Sequence, residues 1–439
     1  MSQRCPGLLL LYWFPLDGFA PSMQEHIDSF ALHSRYPVCA WNTAYGFPPA
    51  ADGLVFDAVV LHYSLFGGPI YWLGPQWEAW IAARRSAGLT RVVAFFQDEY
   101  RFWGLRYRLL ELLDVDLVFS CFDPQWHAAT YGRRGWQGRV VQALTGYVGE
   151  RLLAMAARWA KPRPDRRRDV GYRARRLEEY MGRGAMEKHL IGEGFLSRAA
   201  ESGLALDIAT DESSRIYGED WYAFLGDCRA VLGVEAGVSV VDTEDVLWPA
   251  WRRLKDAHPE LDFATARQAL GLDAWEDAMD LRVISPRHFE AAALGTVQVL
   301  FPGGYSGVLE PMRHYIPLAK DFSNLDEVIA LLRDEPAAAR MAELARREVV
   351  DSPRWTYTAF LAEFDRELEA VGLSRPPGGP DRSAARGILD ADLGTAQQEV
   401  AAGRPWVGPH LHPRPHWPEN LRSLRSLSPG EILSSGPHC

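Results

Sequence analysis

Ser285-Pro286-Arg287-His288-Phe289-Glu290-Ala291-Ala292-Ala293-Leu294-Gly295-Thr296-Val297-Gln298-Val299-Leu300 reads as one helix feeding one buried strand. Ser285 can cap the first amides of a helix, and Pro286 fits at its first position, where no amide partner is needed. The small-residue run stops at Gly295, a residue suited to helix ends. Residues 297–300 are apolar apart from Gln298. A further short strand candidate, Arg282-Val283-Ile284, precedes the serine. Strand, helix and strand with connections of a few residues make the unit of a parallel sheet covered by helices.

The same rhythm extends outward in both directions. Towards the N-terminus the strand candidates are 8–13, 38–41, 58–63, 92–96, 117–119 and 140–144, short and almost wholly apolar. Strands buried on both faces look like this. Amphipathic stretches at 23–33, 77–87 and 102–113 separate them. Residues 146–168 break the pattern, with Pro162 and Pro164 opposing a helix. Beyond, the strands are expected at 169–172, 204–209, 230–234, 282–284 and 297–301. Helices are expected from about Ala185, from Arg287, and at 324–333, 337–349 and 355–371. The expectation is therefore an α/β chain of two Rossmann-like domains facing a cleft. One domain spans 1–150 and the other 168–350, with a linker at 151–167 and a closing helix at 351–371. Ten of the 29 prolines lie beyond Gly372, so 372–439 reads as a flexible, disordered tail that buries too little apolar area to order.

Bulk properties narrow the function. The 439 residues exceed one core. A net charge of −10 argues against a nucleic-acid partner, which needs a positive field. The five cysteines are odd in number and scattered, with neither metal-ligand spacing nor a disulfide framework, as expected of a cytoplasmic protein. The Leu8-Leu9-Leu10-Leu11 run is too short for a membrane span and lacks the features of a signal peptide. At most peripheral membrane contact is expected. The tail histidines His410, His412, His416 and His438 could bind metal, but solvated chain is the simpler reading.

In open α/β sheets ligands bind outside the carboxyl ends of the strands, so the informative residues follow each strand. In the second half these include Glu290 near a helix start, Gly303-Gly304-Tyr305-Ser306-Gly307, and His314-Tyr315-Ile316-Pro317-Leu318. A carboxylate such as Glu290 can accept two ribose hydroxyls, or it can simply complement the helix dipole. In the first half Asp17, Ser22 and His26 follow the first strand, and Gln97-Asp98-Glu99-Tyr100 follows the fourth. Adjacent acids there could orient or deprotonate an acceptor hydroxyl, while Asp98 could equally cap a helix.

The Phe289–Thr296 run, with its Glu-Ala-x-Ala-x-Gly core and following strand, resembles the donor-site helix of GT-B glycosyltransferases of the retaining group-1 type. The 314–325 region is similar to the CgeB-like branch. The resemblance covers roughly 168–350, and the first half loosely. It implies a transferase that moves a sugar from a nucleoside diphosphate sugar to a glycan or small-molecule acceptor. It also implies retention, no metal and no cofactor, and a last helix that crosses back to brace the first domain. Carried over, Glu290 holds the ribose. Arg173 and Lys188 grip the diphosphate, with Arg166 and Arg167 of the same basic stretch expected to be solvated. Arg287, His288, Tyr305, Ser306 and Gly307 complete the donor side. The family's glutamate eight residues earlier is absent, since that position is Arg282. Glu235, in Val234-Glu235-Ala236-Gly237, is the substitute if the loop is interrupted over roughly 240–280; otherwise it is an ordinary loop glutamate. With Asp98 and Glu99 it completes the catalytic candidates, and Asp17, Ser22 and His26 the acceptor side. A sugar-nucleotide epimerase or a non-catalytic sugar-nucleotide-binding subunit would use the same architecture.

Overall fold

The computed structural model describes residues 3–14, 21–67 and 71–374, with Gly394, Gln397 and Gln398. Asp17 and nearly all of the 372–439 tail lie outside the described residues. Two parallel sheets carry the chain. The first holds β1 (Gln3–Tyr12), β2 (Val38–Asn42), β3 (Leu54–Leu61), β4 (Arg91–Phe95), β5 (Leu117–Ser120) and β6 (Arg139–Gln142), in the order β2-β1-β3-β4-β5-β6. The second holds β7 (Arg168–Arg173), β8 (Leu206–Ala209), β9 (Cys228–Gly233), β12 (Val297–Leu300) and β13 (Ile316–Pro317), in the order β13-β12-β9-β7-β8. Both orders reverse direction beside the strand that enters first, and that crevice is where ligands settle in such sheets. The central strands are buried on both faces: Leu8 to Leu11 and Val297 to Leu300 are each at most 1% exposed. The architecture of two Rossmann-like halves facing a cleft is thus the one read from the sequence.

Two local readings are corrected. Residues expected as linker contain a helix, Glu150–Trp159, whose Leu152 and Ala156 pack on Tyr222, Phe224 and Leu225 of the second half. The prolines that suggested a break come after its C-cap, Ala160. The segment read as a strand at 282–284 is β11 (Leu281–Val283), which joins neither large sheet. It pairs antiparallel with β10 (Ala236–Val238). Residues 239–280 leave this three-rung neck as an excursion with two helices, Leu247–Ala257 and Phe263–Ala269, where an interruption over roughly 240–280 was expected.

The helix Tyr357–Ala370 lies on the first sheet, where Phe360, Leu361, Phe364 and Leu368 share a core with Phe30, Phe95 and Phe119. Asp365, 1% exposed, accepts from Ser34 Oγ and the Arg35 amide at 2.7 and 2.8 Å. The end of the chain after the second sheet is therefore anchored on the first.

Candidate active site

A cleft opens at the carboxyl ends of the second sheet. Its floor is Leu232, Gly233 and Val234 of the β9 end with Ala236 and Gly237; Asp98 of the first half also lines it.

Four cations line the cleft: Arg175, Lys188, Arg215 and Arg287. Arg287 is the best defined. Ser285 Oγ caps its amide and Pro286 starts the helix Pro286–Ala293. The guanidinium donates to the Arg173 carbonyl at 2.7 Å and stacks on Trp221 at 5.0 Å. Lys188 comes from the helix Arg183–Arg198, and its carbonyl receives the Tyr172 hydroxyl at 2.9 Å. Arg215 pairs with Glu212 at 2.8 Å.

Arg173 is a correction. Its guanidinium turns away from the cleft to Asp207, at 2.6 Å, and onto the face of Phe224. Only its carbonyl serves the site, by anchoring Arg287. Arg166 is a second correction, being 6% exposed. It donates to the carbonyls of Lys161, Cys228 and Leu294 and to Thr296 Oγ1, so it ties the lower ends of β9 and β12 to the end of the donor-side helix. Burial lowers its pKa to about 10. Arg167 has a 75% exposed side chain, but its guanidinium is paired with the buried Asp227 at 2.7 Å.

His288 lines the cleft, but both ring nitrogens face protein acceptors. Nδ1 is 2.8 Å from Gln298 Oε1 and Nε2 is 3.2 Å from the Val234 carbonyl. Gln298 cannot flip without loss, because its Nε2 donates to the His288 carbonyl. A neutral imidazole carries one N–H and satisfies one of these contacts. Burial nevertheless drives the pKa to about 4, with the charges of Arg287 and Lys188 adding to the effect and the two hydrogen bonds opposing it.

Glu290 sits past the first turn of its helix, and Oε2 accepts from Trp221 Nε1 at 2.7 Å. Burial raises its pKa against the Trp221 bond and the Arg287 charge. Trp221 lines the cleft, so Glu290 meets it through this indole. Glu235 is nine-tenths buried between cleft residues Val234 and Ala236, and Oε1 accepts from the Tyr305 amide at 2.7 Å. A Cβ on Gly303 would collide with this carboxylate, which explains a glycine there. Burial raises the Glu235 pKa, opposed by the Tyr305 amide and Arg282. Arg282 itself pairs with Glu187 at 3.0 Å. Tyr305, Ser306 and Gly307 all have left-handed φ, 45°, 53° and 70°. They form the turn that grips Glu235, and Ser306 Oγ accepts from the Ile284 amide. This turn is scaffold under the cleft, not lining.

In the first half, the two adjacent acids part company. Asp98 is half-buried, lines the cleft and has φ 50°, a conformation that non-glycine residues adopt at a cost and that often marks functional sites. It does not cap the next helix. Glu99 points the other way and is fully buried, accepting from Ser120 Oγ, the Cys121 amide and the Tyr131 hydroxyl. It ties β4 to β5 and is no catalytic group. His26 is likewise a correction, only 2% exposed. It is hydrogen-bonded to His62 at 3.0 Å and ringed by Phe30, Tyr63, Phe95 and Tyr357, and burial drives its pKa down to about 3. Ser22 lies half-buried in the first turn of the helix Pro21–His33.

Sequence reasoning missed Arg175, Arg215 and Trp221. The first two follow strands β7 and β8 and obey the post-strand rule; for Trp221, within the helix Glu219–Gly226, nothing in the local pattern points to a site. Among the described residues, no group of three or more His, Cys, Asp or Glu is placed to hold a metal, and no helix is long and apolar enough to cross a membrane.

No family model matches the chain, and no curated protein matches it. Among solved structures it is similar to an alpha-glucosyltransferase in complex with UDP-glucose and DNA containing an abasic site. That match has 12% identity and a TM-score of 0.45, over 85% of this chain and 100% of the other. It is also similar to HepE of Anabaena in complex with UDP-glucose, at 10% identity and a TM-score of 0.44, over 83% and 98%. The pneumococcal O-GlcNAc transferase GtfA, in complex with UDP and GlcNAc, is similar at 11% and 0.37, over 72% of this chain and 56% of that one. With TM-scores below 0.5, none of these likenesses bears on substrate or mechanism.

Proposed function

We propose that the chain is a glycosyltransferase that moves a sugar from a nucleoside diphosphate sugar to a hydroxyl of a glycan or small-molecule acceptor. One observation carries the reading: four cations from the second half share a cleft with a single strained carboxylate, Asp98, from the first. A diphosphate gains charge as its bond to the sugar breaks. Arg287, Lys188, Arg175 and Arg215 meet that charge, and the start of the helix Pro286–Ala293 adds to them. They do so without a metal. Arg287 is held at its carbonyl anchor and on Trp221 before any ligand arrives, so little ordering is needed on binding. Trp221, fixed by Glu290, offers a flat face for a base or ribose. Asp98 on the opposite wall takes the role of orienting or deprotonating the acceptor hydroxyl. Retention of configuration belongs to this reading on the family resemblance alone.

A panel of UDP-, GDP- and dTDP-sugars tests the reading, with thermal shift for binding and nucleotide release for turnover. Asp98→Asn should lower release about a hundredfold, to a residual rate still measurable, while donor binding persists, and Glu290→Gln should weaken both. Absence of binding by every donor would overturn the reading. Epimerised sugar without release would replace it with the epimerase.

A further inference from the structure

The excursion at 239–280 begins and ends at the cleft floor; Trp251 and Lys255 bind it back to Glu179 of the second half, but residues 240–248 reach the other half of the molecule. Val240, Val241, Leu247 and Trp248 are buried in one cluster with Phe102, Trp103 and Leu105 of the first half. Trp248 meets Phe102 edge-on at 5.5 Å.

The polar contacts fall on one short loop. Between β4 and the helix Trp103–Leu112 the chain carries Asp98 and ends at Phe102, both with left-handed φ, 50° and 61°. Phe102 stands at the N-cap and has no side-chain acceptor for the first helical amides. Asp245 of the excursion supplies it: Oδ1 accepts from the Trp103 amide at 2.9 Å and Oδ2 from the Gly104 amide at 2.7 Å. The Asp242 amide donates to the Tyr100 carbonyl at 2.8 Å, while the Asp242 carboxylate caps the excursion's own helix at Val246 and Leu247. From inside, the buried guanidinium of Arg106 donates to the carbonyls of Asp98 and Arg101. The loop is pinned from both sides, as two unfavourable φ values require.

We propose that the excursion is a positioning device for Asp98. Through Asp245 and Asp242, the half that binds the donor sets the acceptor-side carboxylate of the other half. Asp245 and Asp242 are positioning residues, not catalytic ones. The proposal rests on the reading of Asp98 given above. It adds that Asp98 is correctly aimed only while the excursion is docked.

The test uses the full chain with Asp245→Ala, Asp245→Asn, Asp98→Asn and the double variant Asp245→Ala/Asp98→Asn. Release of nucleoside diphosphate to water is followed with whichever donor of the panel binds, alongside amide hydrogen exchange. Asp245→Ala should leave donor affinity within about threefold. It should lower kcat about tenfold or more, move the acid limb of the pH profile, and speed exchange across 97–104. Asp245→Asn, which keeps one acceptor, should recover much of the rate; it carries the same test if the alanine variant does not fold. The double variant should be no slower than Asp98→Asn alone. Additive losses, or an unchanged kcat in Asp245→Ala, overturn the proposal. Full turnover in Asp98→Asn, or no donor binding at all, refutes the functional reading instead. Exchange then judges the mechanical link: unchanged protection of 97–102 in Asp245→Ala refutes it.

Discussion

Replacing His288 with glutamine isolates one term in the pH dependence of stability. In the folded chain the imidazole titrates at about 4, against an ordinary value of 6.5. The sign follows from proton counts. Between these values the unfolded chain holds a proton that the folded chain refuses, so stability falls as pH drops through the window and the penalty is absent above about pH 7. The cost is complete only below about pH 4. At pH 5 most of it is already felt, and relative to pH 7.5 His288 costs about 2 kcal/mol. Other buried groups titrate as well, His26 among them, but they are common to both proteins. Urea unfolding at pH 7.5 and pH 5.0, followed by a probe in the second half, should therefore give a smaller acid-side loss in His288→Gln, by about 2 kcal/mol. The absolute stability of the variant at pH 7.5 is immaterial to this difference. Equal losses in the two proteins would refute the reasoning, because His288 would then be as free to charge when folded as when unfolded.

The other predictions concern the arginines. Arg287→Ala should weaken nucleoside diphosphate binding by roughly 1.5–3 kcal/mol, about one to two decades by calorimetry. Arg173→Ala should change affinity little and reduce thermal stability, since its guanidinium serves Asp207 and Phe224; equal affinity losses in the two variants would mean that only the general field of the basic region matters. Arg166→Ala strands two buried carbonyls, the half-buried Lys161 carbonyl and the Thr296 hydroxyl and should lower stability by about 3 kcal/mol in a melt, with donor affinity untouched in the folded fraction.

The fold was legible because parallel strands buried on both faces announce themselves as short apolar runs. Leu8 to Leu11, Val92 to Ala94 and Leu117 to Phe119 are all fully buried. Elements with too few residues for a pattern were not legible: β10 has three and β13 two. The helix Glu150–Trp159 hid behind Pro162 and Pro164, although its Leu152 and Ala156 stand at helical spacing. The arginine-rich stretch was opaque for a different reason. Arg166 and Arg167 are adjacent and chemically identical, yet one is caged by carbonyls and the other lies at the surface, paired with Asp227. That choice is made by where the chain enters β7, which composition does not encode.

Site residues divide along the same line. The rule that ligands sit beyond strand ends found the right loops, but not which of two neighbours faces the cleft. Asp98 and Glu99 diverge because Ser120, Cys121 and Tyr131 take one carboxylate into the core, leaving the other at the opening. A second relation, read from the sequence as an interruption over roughly 240–280, runs across the excursion. The glutamate expected eight residues before Glu290 is Arg282, and Glu235 stands far upstream in sequence. Yet Ala236 pairs with Val283 and Gly237 with Arg282 at the neck. Closing the chain across the first of these rungs would bring Glu235 to within seven to nine positions of Glu290, bracketing the missing separation. An insertion that leaves and returns through a short antiparallel ladder need not disturb the cleft floor, and its own polar groups then become free to serve another part of the molecule. Here they hold the loop that presents Asp98.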